Sequence, residues 1–212
     1  MQTNTHTSST VSANLGCVIM ASGLGKRFGG NKLMADFNGE PLLCRALATT
    51  EGYFTRLVVV TRHADVAALC HARNIEVILH DRPYRSDTVR LGLSAITDAD
   101  NDIDGCLFYP GDQPLLRRET IEQILQTFAI DKNTIVRPAF DGIPGAPVLF
   151  PRWTFSKLLA LPEGKGGGFV AKKYPERVHL VPVRDQYELK DVDTPEDLTY
   201  LEDLQRKRHL NQ

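Results

Sequence analysis

The sequence predicts a single α/β domain built on one doubly wound, mostly parallel β-sheet. At 212 residues, the chain is long enough to bury a full hydrophobic core in one domain. Short apolar runs alternate with amphipathic stretches over most of its length, which is the pattern of consecutive βαβ units. The first apolar run, residues 15–21, is too short to cross a bilayer and predicts a buried central strand.

The other elements follow in order along the chain. Further apolar runs predict strands at residues 57–60, 77–79, 106–109 and 135–139. Amphipathic spacing predicts helices at residues 42–50, 64–73, 88–96 and 119–128. The turn-rich segment 141–147 then interrupts the alternation of strands and helices. The apolar run that follows it, at 148–150, predicts a strand of different connectivity. The remaining predicted elements are a helix at 154–161, a glycine cluster at 164–168, a strand at 178–183 and a helix at 195–206.

These elements predict one domain at residues 15–206, between a disordered N-terminal tail at 1–14 and a C-terminal tail at 207–212. The net charge of −1 argues against nucleic acid or a membrane as a partner. The first tail lacks the apolar segment of a signal peptide or an anchor. The four cysteines are widely spaced without a CxxC pair, which predicts reduced core thiols in a cytoplasmic protein. We therefore expect a small anionic ligand.

A glycine loop that follows the first strand is the most informative segment. It consists of Gly23-Leu24-Gly25-Lys26-Arg27, with Lys32 a few residues further on. Glycines let main-chain amides approach an anion, and the cations add charge-assisted hydrogen bonds, so the loop predicts phosphate binding. A Walker A loop would need Ser or Thr where this chain has Arg27, and Phe28 breaks the Rossmann fingerprint of nicotinamide-dependent oxidoreductases. A flexible surface loop is the remaining alternative.

Acidic residues follow a later strand and precede the last helix. Asp112 comes directly after the strand at 106–109, so it should lie at the same sheet edge as the glycine loop. A carboxylate at that point is suited to the divalent ion of a bound triphosphate, although an ordinary turn residue is the alternative. Asp191 and Asp193 alternate just before a helix whose predicted N-cap is Thr194. Either is a candidate second metal ligand, and we prefer Asp193 because it is nearer the helix start.

Six motifs occur in one order along the chain, at residues 20–33, 39–43, 86–93, 111–114, 142–147 and 191–197. Together they resemble the molybdenum cofactor cytidylyltransferase and guanylyltransferase-like family, over residues 15 to about 204. The resemblance implies the nucleotidyltransferase fold, a Rossmannoid sheet like that of nucleotide-diphospho-sugar transferases. It also implies a Mg²⁺-dependent transferase activity.

The resemblance assigns roles to individual residues. It implies that the triphosphate is wrapped by Ala21, Ser22, Gly23, Leu24, Gly25, Lys26 and Arg27. Lys32 would reach the α-phosphate and would be catalytic together with Arg27, while Thr88 would contact the base or ribose. Asp112 would bind the magnesium ion of the nucleotide, with Asp193 as its partner. The turn at 142–147 would lie toward the acceptor.

The implied reaction transfers CMP from CTP to the terminal phosphate of molybdopterin-bound molybdenum and releases pyrophosphate. A molybdenum hydroxylase is then a candidate protein partner. Two departures from the family pattern leave parts of this reaction open. The family usually has Ala-Ala-Gly or Ala-Gly-Gly where this chain has Ala21-Ser22-Gly23, so the choice between CTP and GTP is open, although residues 41–43 favour CTP. Residues 163–169 differ from the family's acceptor segment, so the acceptor is open too.

Two alternative functions share these features. One is a GTP-dependent nucleotidyltransferase, or one that acts on a sugar phosphate or another small phosphate. The other is a non-catalytic protein that binds nucleotide or molybdenum cofactor and carries it to a molybdenum enzyme.

Overall fold

A computed structural model describes residues 13–100 and 102–210. Its strands are β1 (Leu15–Ala21), β2 (Asp36–Phe37), β3 (Glu40–Pro41), β4 (Arg56–Thr61), β5 (Glu76–Leu79), β6 (Gly105–Pro110), β7 (Ile135–Phe140), β8 (Ile143–Pro144), β9 (Val148–Pro151) and β10 (Val178–Pro182). The main sheet has eight strands in the order β10-β7-β9-β6-β1-β4-β5, with β8 beside β7, while β2 and β3 form a separate pair. Parallel pairs join β1 to β4 and β6, β4 to β5, and β7 to β10, whereas β9 is antiparallel to β6 and β7. The predicted mostly parallel sheet is confirmed.

Helices cover both faces of this sheet. They are α1 (Leu43–Thr50), α2 (Ala64–Ala72), α3 (Arg85–Ala99), α4 (Arg118–Ile130), α5 (Phe155–Leu159), α6 (Gly168–Ala171) and α7 (Pro195–Leu210). Side chains of β1 alternate between the faces, as the period of two requires. Cys17 and Ile19 pack into a core with residues of α1, α2 and α4, whereas Val18 packs into a second core with residues of α3, α5 and α6. The sheet is therefore doubly wound, as predicted.

Several element boundaries differ from the predictions. Helix α3 begins at Arg85, ahead of the predicted start at Thr88, because the Asp87 carboxylate accepts a hydrogen bond from the Tyr84 amide at 3.0 Å and caps the first turn. Helix α7 continues to Leu210, into the residues that we assigned to a C-terminal tail. The segment predicted as one helix at 154–161 is a 3₁₀ turn followed by the short α5, and α6 was not predicted.

The predicted N-terminal tail lies outside the described residues except for its last two positions. Asn14 is tied to the domain, since its amide donates to Asp104 Oδ2 at 2.9 Å and its Nδ2 donates to Asp100 Oδ2 at 2.7 Å. Ala13 packs against the core. Residues 13 and 14 therefore belong to the domain rather than to a tail.

The cysteines match their prediction, since all four are buried and free of disulfide bonds. No helix in the described part of the chain combines the length and the apolar character that crossing a bilayer requires.

The parallel strands β1, β4, β5, β6 and β7 all end at the same edge of the sheet. Strand β9 runs the opposite way, so the turn that leads into it lies at this edge too. Ligands of open α/β sheets bind outside the carboxyl ends of the strands. The fold therefore brings residues far apart in sequence to one side of the molecule.

Candidate functional site

The loops at this edge enclose a cavity of about 470 Å³, which we call the edge cavity. They follow β1, β4, β5 and β6, and the segment before α7 adds to them. Charged side chains of both signs line the edge cavity, namely Asp112, Asp191, Asp193, Arg27, Arg62, Arg82 and Arg85. Such a lining is suited to a polyanion that is bound together with a cation.

Gly25 fixes the course of the loop after β1. Its φ is +58°, and a Cβ added there would lie 2.1 Å from the carbonyl oxygen of Gly30, so a side chain is excluded. The Gly25 carbonyl accepts hydrogen bonds from the amides of Phe28 and Gly29, each at 3.0 Å. The amides of residues 23–27 donate to no residue that the structure describes. They are available to bind an anion.

Lys32 connects three segments of the chain beneath this loop. A 3₁₀ turn holds the residue, and its side chain is buried. Its Nζ donates to the carbonyl of Val192 at 2.6 Å and lies 2.6 Å from Asp112 Oδ2 and 3.3 Å from Asp193 Oδ1. Burial lowers the pKa of Lys32, but the ion pairs with Asp112 and Asp193 outweigh it, so the pKa lies above its ordinary value. The ammonium group remains charged, and these contacts occupy its three donors.

Asp193 is oriented by side chains and by its own backbone. Arg27 Nη2 lies 2.7 Å from its Oδ2, while Lys32 contacts Oδ1. The Asp193 and Thr194 amides both donate to Asp197 Oδ2, at 3.1 and 3.0 Å, and the Asp197 amide donates back to Thr194 Oγ1 at 3.2 Å. This reciprocal cap confirms Thr194 as the N-cap of α7. It also fixes the position of Asp193 just before the N-terminus of α7.

Asp191 has a different environment from Asp193. Gln113 Nε2 donates to its Oδ1 at 2.8 Å. Burial of the carboxyl group, and then the nearby Asp112 carboxylate, raise the pKa of Asp191 above its ordinary value. No ion pair joins Asp191 to Lys32 in the described structure. Of the two acids that the sequence left open, Asp193 is thus the one that shares the Lys32 ammonium with Asp112.

Two histidines contact the glycine loop and the residue before it, and no sequence motif predicted these contacts. The Arg82 amide donates to His80 Nδ1 at 3.1 Å, so we assign the ring proton to Nε2, which lies 2.9 Å from Ser22 Oγ. The Ser22 hydroxyl in turn donates to the carbonyl of Val60 at 3.0 Å. His63 Nε2 lies 2.8 Å from the carbonyl of Gly23. Their spacing in the sequence shows no motif, because the contacts depend on the alignment of β1 with its neighbours.

The predicted site residues fall into two groups. Those that line the edge cavity are Ser22, Gly23, Leu24, Arg27, Thr88, Asp112 and Asp193. Those that do not line it are Gly25, Lys26, Lys32 and Ala21. Ala21 is buried in β1. Lys32 lies directly behind the cavity wall, in contact with two of its carboxylates. Sequence reasoning missed the arginines Arg62, Arg82 and Arg85, which lie in segments without a recognisable motif.

The carboxylates that line the edge cavity would need further ligands to hold a metal ion. Within residues 13–100 and 102–210, no group of three or more His, Cys, Asp or Glu side chains is arranged to hold a metal ion. Magnesium is often bound by one or two carboxylates together with phosphate oxygens and water. Asp112 and Asp193 are oxygen donors of the type that magnesium prefers and both line the edge cavity, so their chemistry fits a magnesium ion that arrives with a nucleotide.

Comparison with known families identifies the fold. Residues 17–178 match the MobA-like NTP transferase domain, and the chain belongs to this family. The solved structure of Rv0371c from Mycobacterium tuberculosis H37Rv has a TM-score of 0.79 and 22% identity, covering 90% of this chain and 99% of that one. This likeness shows a shared fold.

Two curated proteins are related in sequence over part of their length. A 3-deoxy-manno-octulosonate cytidylyltransferase of Neisseria meningitidis serogroup B is 30% identical over 93 residues, 43% of this chain and 37% of the relative. A probable molybdenum cofactor guanylyltransferase of Aquifex aeolicus is 26% identical over 113 residues, 53% of each chain. The matches thus span less than two thirds of either relative.

Proposed function

We propose that this protein is a nucleotidyltransferase that transfers a nucleoside monophosphate from a triphosphate to an anionic acceptor. One observation carries the proposal: Lys32 joins Asp112 and Asp193 at the strand edge, beside a glycine loop with unused amides. This arrangement combines anion donors with oxygen ligands for a cation. Membership of the MobA-like NTP transferase family supports it.

The proposed roles of the loop and of Lys32 follow from charge. The amides of residues 23–27 would bind the phosphates, and Arg27 would add a cation at the mouth of the cavity. Lys32 would stabilise charge that develops on the α-phosphoryl oxygens. Because its donors are occupied, it must exchange one protein contact for the phosphate, and the 3.3 Å contact with Asp193 is the longest of the three.

The proposed cofactor is Mg²⁺, held by Asp112 and Asp193 together with phosphate oxygens. When bound, it would neutralise charge on the triphosphate. The attacking acceptor phosphate is already ionised at neutral pH, so the reaction needs no side-chain base. An oxygen of that phosphate forms the new bond to the α-phosphorus, the α–β bridging bond breaks, and pyrophosphate leaves.

We propose CTP as the nucleotide and the terminal phosphate of molybdopterin-bound molybdenum as the acceptor. The cytidylyltransferase relative supports the base, and the molybdenum cofactor relative supports the acceptor, although its own name gives guanylyl transfer. GTP is therefore the second candidate nucleotide. A sugar acid is the second candidate acceptor, because the Neisseria relative is a 3-deoxy-manno-octulosonate cytidylyltransferase.

A two-part experiment tests the proposal. Thermal unfolding is followed with CTP, GTP, ATP and UTP, each with and without Mg²⁺, because a ligand that binds only the folded state raises the Tm. Pyrophosphate release is then measured with molybdenum cofactor, 3-deoxy-manno-octulosonate and sugar phosphates as acceptors. We expect the largest magnesium-dependent shift with CTP and release of pyrophosphate with molybdenum cofactor. Release with GTP or with another acceptor identifies that transferase instead.

A non-catalytic carrier predicts a different result. It would bind CTP or molybdenum cofactor, release no pyrophosphate with any acceptor, and deliver its ligand to a molybdenum hydroxylase. Binding without release by the parent protein therefore contradicts the transferase proposal.

A further inference from the structure

A second cavity of about 420 Å³ lies at the same sheet edge, beside the edge cavity. The two share Met20, Arg85 and Pro110 as lining residues. Arg137, Lys165 and Lys172 line only the second cavity, which we call the cationic cavity. No Asp or Glu of the described residues is among its lining residues. It therefore concentrates positive charge beside the cavity that would bind the nucleotide.

Arg137 is the central observation. It lies on β7, half-buried, and its Nε and Nη2 donate to the carbonyl of Gly145 at 2.8 and 2.5 Å. Its Nη1 makes no hydrogen bond to a described residue, and no carboxylate in the described structure pairs with it. Burial lowers the pKa of Arg137, as desolvation of an unpaired cation must. By contrast, the buried Lys32 is neutralised by Asp112.

An unpaired, half-buried guanidinium is costly unless it binds an anion, because buried charges are normally paired. The Gly145 carbonyl accepts hydrogen bonds from the Nε and Nη2 edge of the guanidinium and leaves the edge that carries Nη1 free. That free edge can bind the oxygens of a phosphate or carboxylate through parallel hydrogen bonds. Lys165 and Lys172 add charge to the same cavity and have no ion-pair partner in residues 13–100 and 102–210.

The backbone at Gly166 and Gly167 lies close to other residues that line the cationic cavity. A Cβ added to Gly166 would lie 3.1 Å from Arg85 Nε, and one added to Gly167 would lie 2.8 Å from the ring of Phe150. These glycines therefore allow the segment that carries Lys165 to close one side of the cationic cavity. Lys165, which this segment brings to the cationic cavity, thus lies where the segment departs from the family pattern.

We propose that the cationic cavity binds a second oxyanion group of the acceptor, distinct from the phosphate that attacks the nucleotide, with Arg137 as the specificity-determining residue. The inference rests on the proposed function. The attacking phosphate would lie in the edge cavity, which Asp112 lines, whereas Arg137, Lys165 and Lys172 line the neighbouring cavity and not the edge cavity. The acceptor is accordingly an anion with two separated negatively charged groups.

Binding of simple anions tests this proposal without turnover. Inorganic phosphate and acetate are titrated by calorimetry at constant ionic strength, with and without CTP and Mg²⁺. We expect saturable binding of at least one anion that persists when the nucleotide is present. Phosphate binding alone indicates a phosphate group on the acceptor, and acetate binding indicates a carboxylate.

Matched variants locate the site. Arg137→Met should weaken anion binding about 10- to 100-fold, the range for a charge-assisted contact, and Arg137→Lys should weaken it less. Lys172→Gln should also weaken it, while Lys173→Gln should not, because Lys173 lies over the Phe169 ring at 4.4 Å and lines neither cavity. The lysine pair keeps the test decisive if Arg137→Met does not fold.

Three outcomes overturn the proposal: no saturable binding to the parent, binding abolished by CTP and Mg²⁺, or equal binding by the parent, Arg137→Met and Lys172→Gln. A failure of the proposed transfer reaction is seen separately, as absent pyrophosphate release. The anion titration without nucleotide can still be interpreted in that case.

Discussion

Lys32 Nζ lies 2.6 Å from Asp112 Oδ2, and this ion pair joins the segment after β1 to the segment after β6. The contact is nearly enclosed, since the side chains of Lys32 and Asp112 are 9% and 19% exposed. An ion pair with so little solvent access is screened weakly, and loss of one partner leaves an unpaired charge in the protein. The pair therefore supports both the fold of this edge and the proposed chemistry.

Lys32→Ala should lower turnover by roughly 10²–10³, the effect of removing one donor to transition-state charge. It should also lower the Tm, because Asp112 and Asp193 then lose their shared cation. Steady-state pyrophosphate release and thermal unfolding measure the two effects. Lys207→Ala, at an exposed position of α7, is the control and should match the parent. Turnover near the parent level in purified Lys32→Ala would remove Lys32 from the mechanism.

Magnesium titrations separate the three carboxylates. Asp112→Asn should abolish magnesium-dependent turnover, and Asp193→Asn should raise the half-saturating Mg²⁺ concentration at least about tenfold, an effect seen even for outer partners of a metal. Asp191→Asn should change the half-saturating Mg²⁺ concentration less, because Asp191 accepts a hydrogen bond from Gln113 and makes no ion pair with Lys32 within the described chain. If Asp191→Asn has the larger effect, Asp191 rather than Asp193 is the second ligand.

Substitution of one loop glycine should impair nucleotide binding far more than substitution of another. Gly25→Ala meets the Gly30 carbonyl oxygen and a φ of +58°, so the loop must rearrange and the nucleotide KM should rise about tenfold or more. Gly30→Ala has no atom within 4 Å of the added Cβ and should leave KM near the parent value. Equal KM values for the two variants would show that the loop conformation does not determine nucleotide binding.

His80 should make stability depend on pH. Burial lowers the pKa of His80 below its ordinary value, and Arg62 lowers it further. Asp87 opposes this shift, and the weaker effects of Arg82 and Asp81 lower and raise the pKa respectively. The unfolded chain then binds the proton more readily, so the contribution of His80 is complete above its unfolded pKa, about 6.5, and is lost as the pH falls toward the folded value.

Urea unfolding between about pH 8 and pH 5 measures this contribution. The difference in the free energy of unfolding between the parent and His80→Gln should shrink as the pH falls. His71→Gln, at an exposed position of α2, is the control and should not alter the pH profile of the parent. A constant difference between the parent and His80→Gln across the range would mean that the ring titrates equally in both states.

Much of the site could be predicted because its chemistry lies in short, local motifs. The glycines and cations around Gly25 and the acid directly after β6 are informative wherever a parallel sheet brings strand ends together. The choice between Asp191 and Asp193 could not be made, because it depends on which carboxylate reaches Lys32, and that contact crosses more than 150 residues of sequence. The start of α3 was misplaced because the cap formed by Asp87 lies in a polar segment without hydrophobic periodicity.

The sequence by itself determined the class of sheet, and it identified a loop suited to anions and the candidate ligands Asp112, Asp191 and Asp193, since hydrophobic spacing and local residue chemistry encode them. Only the tertiary structure decided that Lys32 lies behind the cavity wall, that His80 supports Ser22, and that Arg137 has no acidic partner in the described chain. Those properties arise from contacts between distant segments and from burial. Both depend on how strands align and helices pack, which no local pattern specifies.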